Sequence, residues 1–376
     1  MSKMQIPFVD LSRFFKKHKQ EILRLTDAIG ESGIYILGEI VEKFEQDFAQ
    51  FCGVKYAISV GNGTDALALS LKSLDIGEGD EVIIPGNSFI ATAGAVIEVG
   101  ATPVCVDVKK DQNICINSIK ESISSKTRAI IVVHLNGKPV QIKEIKEAIS
   151  GSNIKIIEDA AQSIGAEING QKTGGFGVCG CFSLHPLKNF HLIGDAGMIT
   201  TNSEELAKKL KILRNHGLID RDKCQYFSRN SRLDTLQASF GSYLLPHLDE
   251  WTDRVIKIAE YYQNSLHGKL FVPYADVESK HVFHNFVVQT PFRNELSNFL
   301  NVNGVETKIH YPIPICEQPA WKNHNLPNAA IPRIHKQKDM ILSLPIYAEL
   351  TDLEVEYVAD SIDNFFTEHQ SFRDAI

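Results

Sequence analysis

The chain is 376 residues long, 43% hydrophobic and 23% charged, with a formal net charge of -7. That length suits one large domain plus a smaller one, and the composition is that of an ordinary globular protein. Lysines and arginines are scattered, with no basic run interleaved with aromatics, so charge gives no support to a nucleic-acid or polyanion-binding role.

The opening residues hold no apolar run of the signal-peptide kind, and no later segment approaches the roughly 20 apolar residues of a membrane span. A cytoplasmic protein is expected. The seven cysteines are odd in number and mostly lie inside apolar runs, which suits reduced, buried thiols rather than a disulfide framework. Cys179 and Cys181 have no His or Cys partners at zinc-site spacing, so no metal centre is expected.

In chain order, Tyr56–Val60 reads as a strand leading into Asn62-Gly63-Thr64 and a helical pattern over Ala66–Leu71. Val82–Ile84 is a strand ahead of Pro85, followed by a helix from Ala91 to Val99. Val104–Val108, Ala129–His134 and Ile154–Ile157 are further strands. Short runs of Val and Ile, bounded by Gly, Pro and Asn and separated by helices, predict an α/β fold with a mostly parallel sheet covered on both faces. From Leu233 the apolar residues Leu236, Phe240, Tyr243 and Leu244 recur at helical spacing, and Pro246 should kink or end that helix. Beyond it the pattern predicts a helix rich in Tyr and Lys, a strand at Phe286–Val288, helices near 294–303 and 352–366, and an ordered loop over 312–333. The expected division is a large domain over residues 1–245, with the N-terminal segment, and a smaller α+β domain over 246–376.

Lys188 follows the apolar run Cys181–Leu184 and precedes Gly194-Asp195-Ala196-Gly197, which places it on a loop at a strand end. The run Ile154–Ile157 ends in Glu158-Asp159. A lysine that can form an imine, with an acid at the end of a neighbouring strand, is the pair a pyridoxal phosphate enzyme needs. The lysine holds the cofactor aldehyde as a Schiff base, and the carboxylate keeps the ring nitrogen protonated so that the ring can accept electrons.

Asn62-Gly63-Thr64-Asp65 lies between a strand and a helix, where free amides and the helix dipole favour a phosphate; an ordinary N-cap by Asn62 or Thr64 fits the same residues. Ser183 is a second phosphate donor or a plain turn serine, and Phe89 is a ring stacked on the cofactor or simple core packing. His134 and His185 are the histidines nearest these motifs, either packed or in contact with ligand. No Gly-x-Gly-x-x-Gly or Gly-Lys-Ser/Thr follows a strand, which argues against a nicotinamide oxidoreductase and against a P-loop. No Gly-x-Ser-x-Gly elbow supports a hydrolase.

Taken together these segments resemble the DegT/StrS family of sugar aminotransferases, from Ile6-Pro7-Phe8-Val9-Asp10-Leu11 and Tyr35-Ile36-Leu37-Gly38 onward. The likeness continues through Gly61–Leu67, Phe89–Thr92, Glu158–Gln162, Ser183–Lys188, Gly194–Gly197, Leu213–Gly217 and Asn230–Ala238, and ends at Ile309–Pro312 and Leu342–Pro345. The resemblance implies the aspartate aminotransferase type of fold (fold type I) and pyridoxal 5'-phosphate as cofactor. By position it makes Lys188 the internal-aldimine lysine, Asp159 the partner of the pyridine nitrogen, and Gln162 a contact on the ring's phenolic oxygen side. Gly63, Thr64 and Ser183 become phosphate ligands, and Phe89 the stacking ring. Asn230 stands where the family's asparagine reaches the phosphate of the neighbouring subunit, which implies a homodimer with shared active sites. Tyr35, His185, His310 and Tyr311 are implied substrate contacts.

The resemblance further implies transfer of an amino group from glutamate to a keto sugar on a nucleotide diphosphate, in amino-sugar biosynthesis for a surface polysaccharide such as lipopolysaccharide O-antigen or a glycosylated product. Gly194-Asp195-Ala196-Gly197 resembles members acting on 3-keto rather than 4-keto sugars. A dehydratase of the same family carries histidine at the aldimine position, and Lys188 speaks against it. A non-catalytic cofactor-holding relative is opposed by the intact set Lys188, Asp159, Gln162 and Asn230. Two stretches depart from the pattern. His-Leu-Tyr-Gly-Gln-Pro appears as His134-Leu135-Asn136-Gly137-Lys138-Pro139, and Pro-Ile-Pro-Val-His as Pro312-Ile313-Pro314-Ile315-Cys316. Both changes are expected in regions facing the substrate.

Overall fold

The computed structural model describes residues 3–369. Helices α1 (Leu11–Ser32) and α2 (Glu39–Cys52) lead into β1 (Tyr56–Val60), α3 (Gly63–Ser73), β2 (Glu81–Pro85), α4 (Ala91–Glu98), β3 (Thr102–Val106), α5 (Ile116–Ser122), β4 (Thr127–Val133), α6 (Ile142–Ala148) and β5 (Lys155–Asp159). A small hairpin, β6 (Glu167–Ile168) and β7 (Gln171–Lys172), precedes β8 (Cys179–Ser183), β9 (Gly197–Thr201) and α7 (Glu204–Leu213). Then come α8 (Thr235–Leu244), α9 (Leu248–Leu266), β10 (Ser279–Lys280), β11 (Phe286–Gln289), α10 (Arg293–Val302), α11 (Pro319–Asn323), α12 (Pro332–Gln337), β12 (Ile341–Leu344) and α13 (Asp352–Glu368).

A seven-stranded sheet in the order β1-β9-β8-β5-β4-β2-β3 forms the centre. Pairing is parallel from β8 through β5, β4 and β2 to β3, and β9 runs antiparallel between β8 and β1. Its strands are buried on both sides, as their unbroken Val and Ile runs require. One face packs under Leu67, Leu71, Val96 and Leu210 of α3, α4 and α7; the other packs under Ile119, Ile142 and Ile145 of α5 and α6. Because the parallel strands point one way, their carboxyl ends share one rim, where the loops can build a site.

Pro246 acts as expected: α8 stops at Leu244, a tight turn spans Leu245–His247, and α9 begins at Leu248. A second buried cluster gathers Tyr262 of α9, Phe286 and Leu344 of the β11–β12 pair, and Ile362 and Phe365 of α13. Ile6 joins it, with its amide on the Gly304 carbonyl at 2.8 Å. The segment expected as loop over 312–333 contains the short helix α11, and its Trp321 and Ile315 pack on the core of the large sheet. Cys52, Cys105, Cys179 and Cys181 are buried, whereas Cys115 and Cys316 are partly exposed and Cys224 is on the surface. No helix among the described residues is long and apolar enough to cross a membrane.

Candidate active site

A cavity of about 710 Å³ opens at the carboxyl rim of the sheet, and Gly63, Thr64, Phe89, Asp159, Gln162, Ser183, His185, Lys188, His310 and Tyr311 all line it. Three elements supply its core: the start of α3, the end of β5, and the turn after β8.

Successive residues of a strand face opposite sides, and β5 uses this to separate two acids. Glu158 points away from the cavity and accepts from the amides of Gly174, Phe176 and Gly177 at 2.8, 2.7 and 2.7 Å. His134 completes that set: its Nδ1 accepts from the Val140 amide at 3.0 Å, so the neutral ring carries its proton on Nε2, 3.0 Å from Glu158. His134 is therefore a structural residue, outside the cavity. Asp159 points into the cavity and receives only the Thr92 hydroxyl at 2.9 Å and the Ala161 amide at 3.3 Å. Burial raises its pKa, and the Thr92 hydrogen bond opposes that rise in part.

Lys188 sits in the turn that closes with its own amide on the His185 carbonyl at 2.9 Å. Burial lowers its ammonium pKa to about 8, with the Asp159 charge pulling the other way. A lysine so placed holds a useful fraction of neutral amine, the form that attacks an aldehyde.

At the start of α3, Asn62 is the N-cap and accepts from the Asp65 amide at 2.8 Å. Capping and phosphate binding are thus compatible, because Asn62 serves the third amide and leaves those of Gly63 and Thr64 without intrahelical acceptors. A Cβ at position 63 would lie 2.7 Å from that of Ser183, and one at Gly197 would lie 2.4 Å from the Asn62 carbonyl oxygen. Only glycines let the helix start, β8 and β9 close into this cradle.

Gln162 is held at both ends: its Oε1 accepts from the Asn136 amide at 2.7 Å and its Nε2 donates to the Tyr311 hydroxyl at 3.2 Å. Tyr311 also faces Phe89, with ring centroids 5.8 Å apart. Burial pushes the Tyr311 hydroxyl up to about 12 and the His310 imidazole down to about 4. His310 is fixed by Ser343 at 2.8 Å and His185 by the Leu187 amide at 3.2 Å.

Two expected residues stand apart. Tyr35 and Asn230 are exposed and do not line the cavity of their own chain. Their segments adjoin, since the Thr235 amide donates to the Tyr35 carbonyl at 2.9 Å and Ile36 bridges to Asp234. Arg229 and Ser231, either side of Asn230, are anchored on Asp65 at 3.0 and 2.6 Å.

The departures from the family pattern do not line this cavity, which corrects the expectation that they face the substrate. Asn136 adopts a left-handed backbone (φ 59°), a conformation that asparagine tolerates, and bonds Gln112 and Asn285 at 3.0 and 3.1 Å. Lys138 pairs with Asp276 at 2.8 Å and Asp111 at 3.1 Å. Cys316 packs with Ala329 against Val108, Ile331 and Ile334. Sequence reasoning missed Thr92, although it lies within a quoted motif, and missed His191, Trp251, Tyr347 and Glu349, for which the sequence offers no local signal. Among the described residues no group of His, Cys, Asp or Glu is placed to hold a metal ion.

The residues present fit the cofactor. Asp159 is a buried carboxylate with spare acceptor capacity for a cationic ring nitrogen, Lys188 is a partly neutral amine opposite it, and a glycine cradle with two free amides is sized for phosphate. The class that this fold and site define is the aspartate aminotransferase type of pyridoxal 5'-phosphate-dependent transferases. More narrowly, the chain belongs to the DegT/DnrJ/EryC1/StrS aminotransferase family, whose model matches residues 16–363. It is 40% identical over 365 residues to a dTDP-3-amino-3,6-dideoxy-alpha-D-galactopyranose transaminase of Aneurinibacillus thermoaerophilus, covering 96% of this chain and 99% of that one. The crystal structure of S. venezuelae DesV in complex with a ketimine intermediate superposes with a TM-score of 0.93 at 35% identity, covering 96% and 98% of the two chains. NtdA from Bacillus subtilis with bound cofactor PMP follows, with a TM-score of 0.90 at 29% identity over 96% of this chain and 85% of that one.

Proposed function

We propose that this aminotransferase moves an amino group from glutamate to a 3-keto deoxysugar carried on a nucleotide diphosphate, in amino-sugar biosynthesis. The observation that carries the reading is the pairing of Lys188 with Asp159 across one cavity, in a chain similar over its whole length to a 3-amino sugar transaminase.

When bound, the cofactor accepts the electron pair released at the donor's α-carbon. The chain's residues then divide the work. Nζ of Lys188 takes the α-proton of glutamate and, in the second half, returns a proton to C3 of the sugar. Asp159 holds the proton on the ring nitrogen, with Thr92 keeping its carboxylate aimed. Gly63, Thr64 and Ser183 take the phosphate, Phe89 covers one ring face, and Gln162 is held beside the ring by Asn136 and Tyr311. His185, His310 and Tyr311 contact the substrate.

A homodimer in the cytoplasm completes the reading, with Asn230 and Tyr35 serving the neighbouring subunit's site. Its support is the exposure of Ile34, Tyr35, Ile36 and Phe227, the last 94% exposed, on and beside these segments. Residues 1–245 are taken as the cofactor-binding domain and 246–376 as the smaller one; the two main buried clusters follow that division except that Ile315 and Trp321 join the first and Ile6 the second. The product feeds a surface polysaccharide such as O-antigen or a glycosylated compound. The test incubates holoenzyme with glutamate and a panel of 3-keto and 4-keto nucleotide sugars while following 2-oxoglutarate. Release with 3-keto sugars is expected; turnover confined to 4-keto sugars, or loss of a sugar hydroxyl instead, would overturn it.

A further inference from the structure

The polar groups of the cavity are laid out in order across the sheet. The glycine cradle joins the start of α3 to Ser183 at the end of β8, and Asp159 ends the neighbouring strand β5. Gln162, just past β5, is tied to the Asn136 amide beyond β4, the next strand along. In pyridoxal phosphate the ring nitrogen lies opposite the carbon that bears the aldehyde, and the phosphate arm and phenolic oxygen flank that carbon. With the arm in the cradle, the nitrogen at Asp159 and the aldehyde at Lys188, the phenolic oxygen is left on the edge toward β4. Gln162 and Tyr311 line the cavity there, with Tyr311 beside Phe89 from the segment after β2.

The hydrogen bonds at this corner have a fixed polarity. A backbone amide only donates, so the Asn136 amide, 2.7 Å away, holds the Gln162 oxygen on its own side and turns Nε2 toward Tyr311. Nε2 also only donates, so the Tyr311 oxygen, at 3.2 Å, receives that bond and cannot return it. The Tyr311 proton must go elsewhere, and among the described residues no acceptor takes it. Burial, with the Asp159 charge, pushes the hydroxyl up to about 12, so the proton stays on through the neutral range. The direction is well anchored, because the left-handed backbone of Asn136 is pinned by its side-chain bonds to Gln112 and Asn285 at 3.0 and 3.1 Å. Two donors therefore remain for a ligand, the second hydrogen on Gln162 Nε2 and the Tyr311 hydroxyl.

Adjacent donors suit an oxygen that carries charge and no proton. We infer that Tyr311 is a cofactor residue as well as a substrate contact: its hydroxyl donates to the phenolic oxygen beside Gln162, in a direction set by the Asn136 amide. This inference rests on the roles proposed above for Lys188 and Asp159.

The test is a pH titration of the lysine–cofactor absorbance in holoenzyme without substrate. While protonated, the linkage nitrogen donates to the phenolic oxygen; once that proton leaves, the oxygen depends on donors from the protein. Such donors favour the deprotonated linkage, and losing one raises its pKa. Tyr311→Phe should raise it by roughly one pH unit, the scale of a hydrogen bond to a charged oxygen. Gln162→Glu tests the direction, since its carboxylate accepts from both the Asn136 amide and the Tyr311 hydroxyl and draws that proton off the ring. Its own rise should shrink when Tyr311→Phe is already present, so the two shifts together fall short of their sum. Both changes keep the side chain's shape, and thermal unfolding close to the parent's is expected. A protein with no linkage absorbance fails the Lys188 reading itself. A titration indifferent to Tyr311→Phe, even with weakened substrate binding, overturns this inference alone, as do shifts that add in full.

Discussion

The two sides of β5 make opposite use of buried polar groups. On the Glu158 side every oxygen is taken, by three amides and the His134 ring, and the acid ties β5 to the loop over 174–177. On the Asp159 side a carboxylate and a lysine share a cavity with few protein donors between them. A saturated network holds the fold; an unsaturated one holds a place for something else. Adjacent residues of one sequence motif thus do unrelated jobs because the strand points them to opposite faces.

The largest test of that contrast is Lys188→Ala. Turnover should fall by at least on the order of 10²–10⁴-fold, the usual worth of a positioned base, and the absorbance of the lysine–cofactor linkage should vanish while thermal stability stays close to the parent. A fully active variant would remove Lys188 from its role. Glu158→Gln should do the reverse. Each Glu158 oxygen serves two donors, so whichever one the amide nitrogen replaces, two buried donors lose their acceptor at about 1–3 kcal/mol apiece in denaturant unfolding, and turnover per folded molecule should hold. Lost turnover at unchanged stability would erase the distinction between the two sides.

A smaller effect should appear in pH dependence. Capture of the cofactor aldehyde needs the neutral amine, and burial depresses Lys188 to about 8. Uptake of pyridoxal phosphate by cofactor-free protein should therefore quicken as pH rises toward that value and level off above it. A rate still climbing toward the ordinary lysine range, about 10.4, would mean that the amine is not buried as described.

Much of this site was legible along the chain because its parts are local. A strand end followed by Asn62-Gly63-Thr64 carries its own cap and free amides, and Pro246 breaks a helix wherever it falls. Thr92 was in plain view inside a motif, yet its partner Asp159 is 67 positions away and nothing in either segment announces the bond. The departures at Asn136 and Lys138 misled for the same reason. Lys138 finds its aspartates in two distant loops, and Asn136 turns its backbone amide, not its side chain, toward Gln162.

By itself the sequence determined the alternating α/β frame, the lysine on its loop after a strand, the Glu158-Asp159 pair at a strand end and the glycine turn ahead of a helix, since each depends on periodicity or on residues a few positions apart. Only the tertiary structure decided which acid of the pair enters the cavity and which distant side chains wall it. Phe14, His191, Trp251 and Tyr347 come together through packing of α1 and α9 against segments remote in the chain. Contacts of that kind are set by how whole elements stack, and residue order along any one element does not encode them.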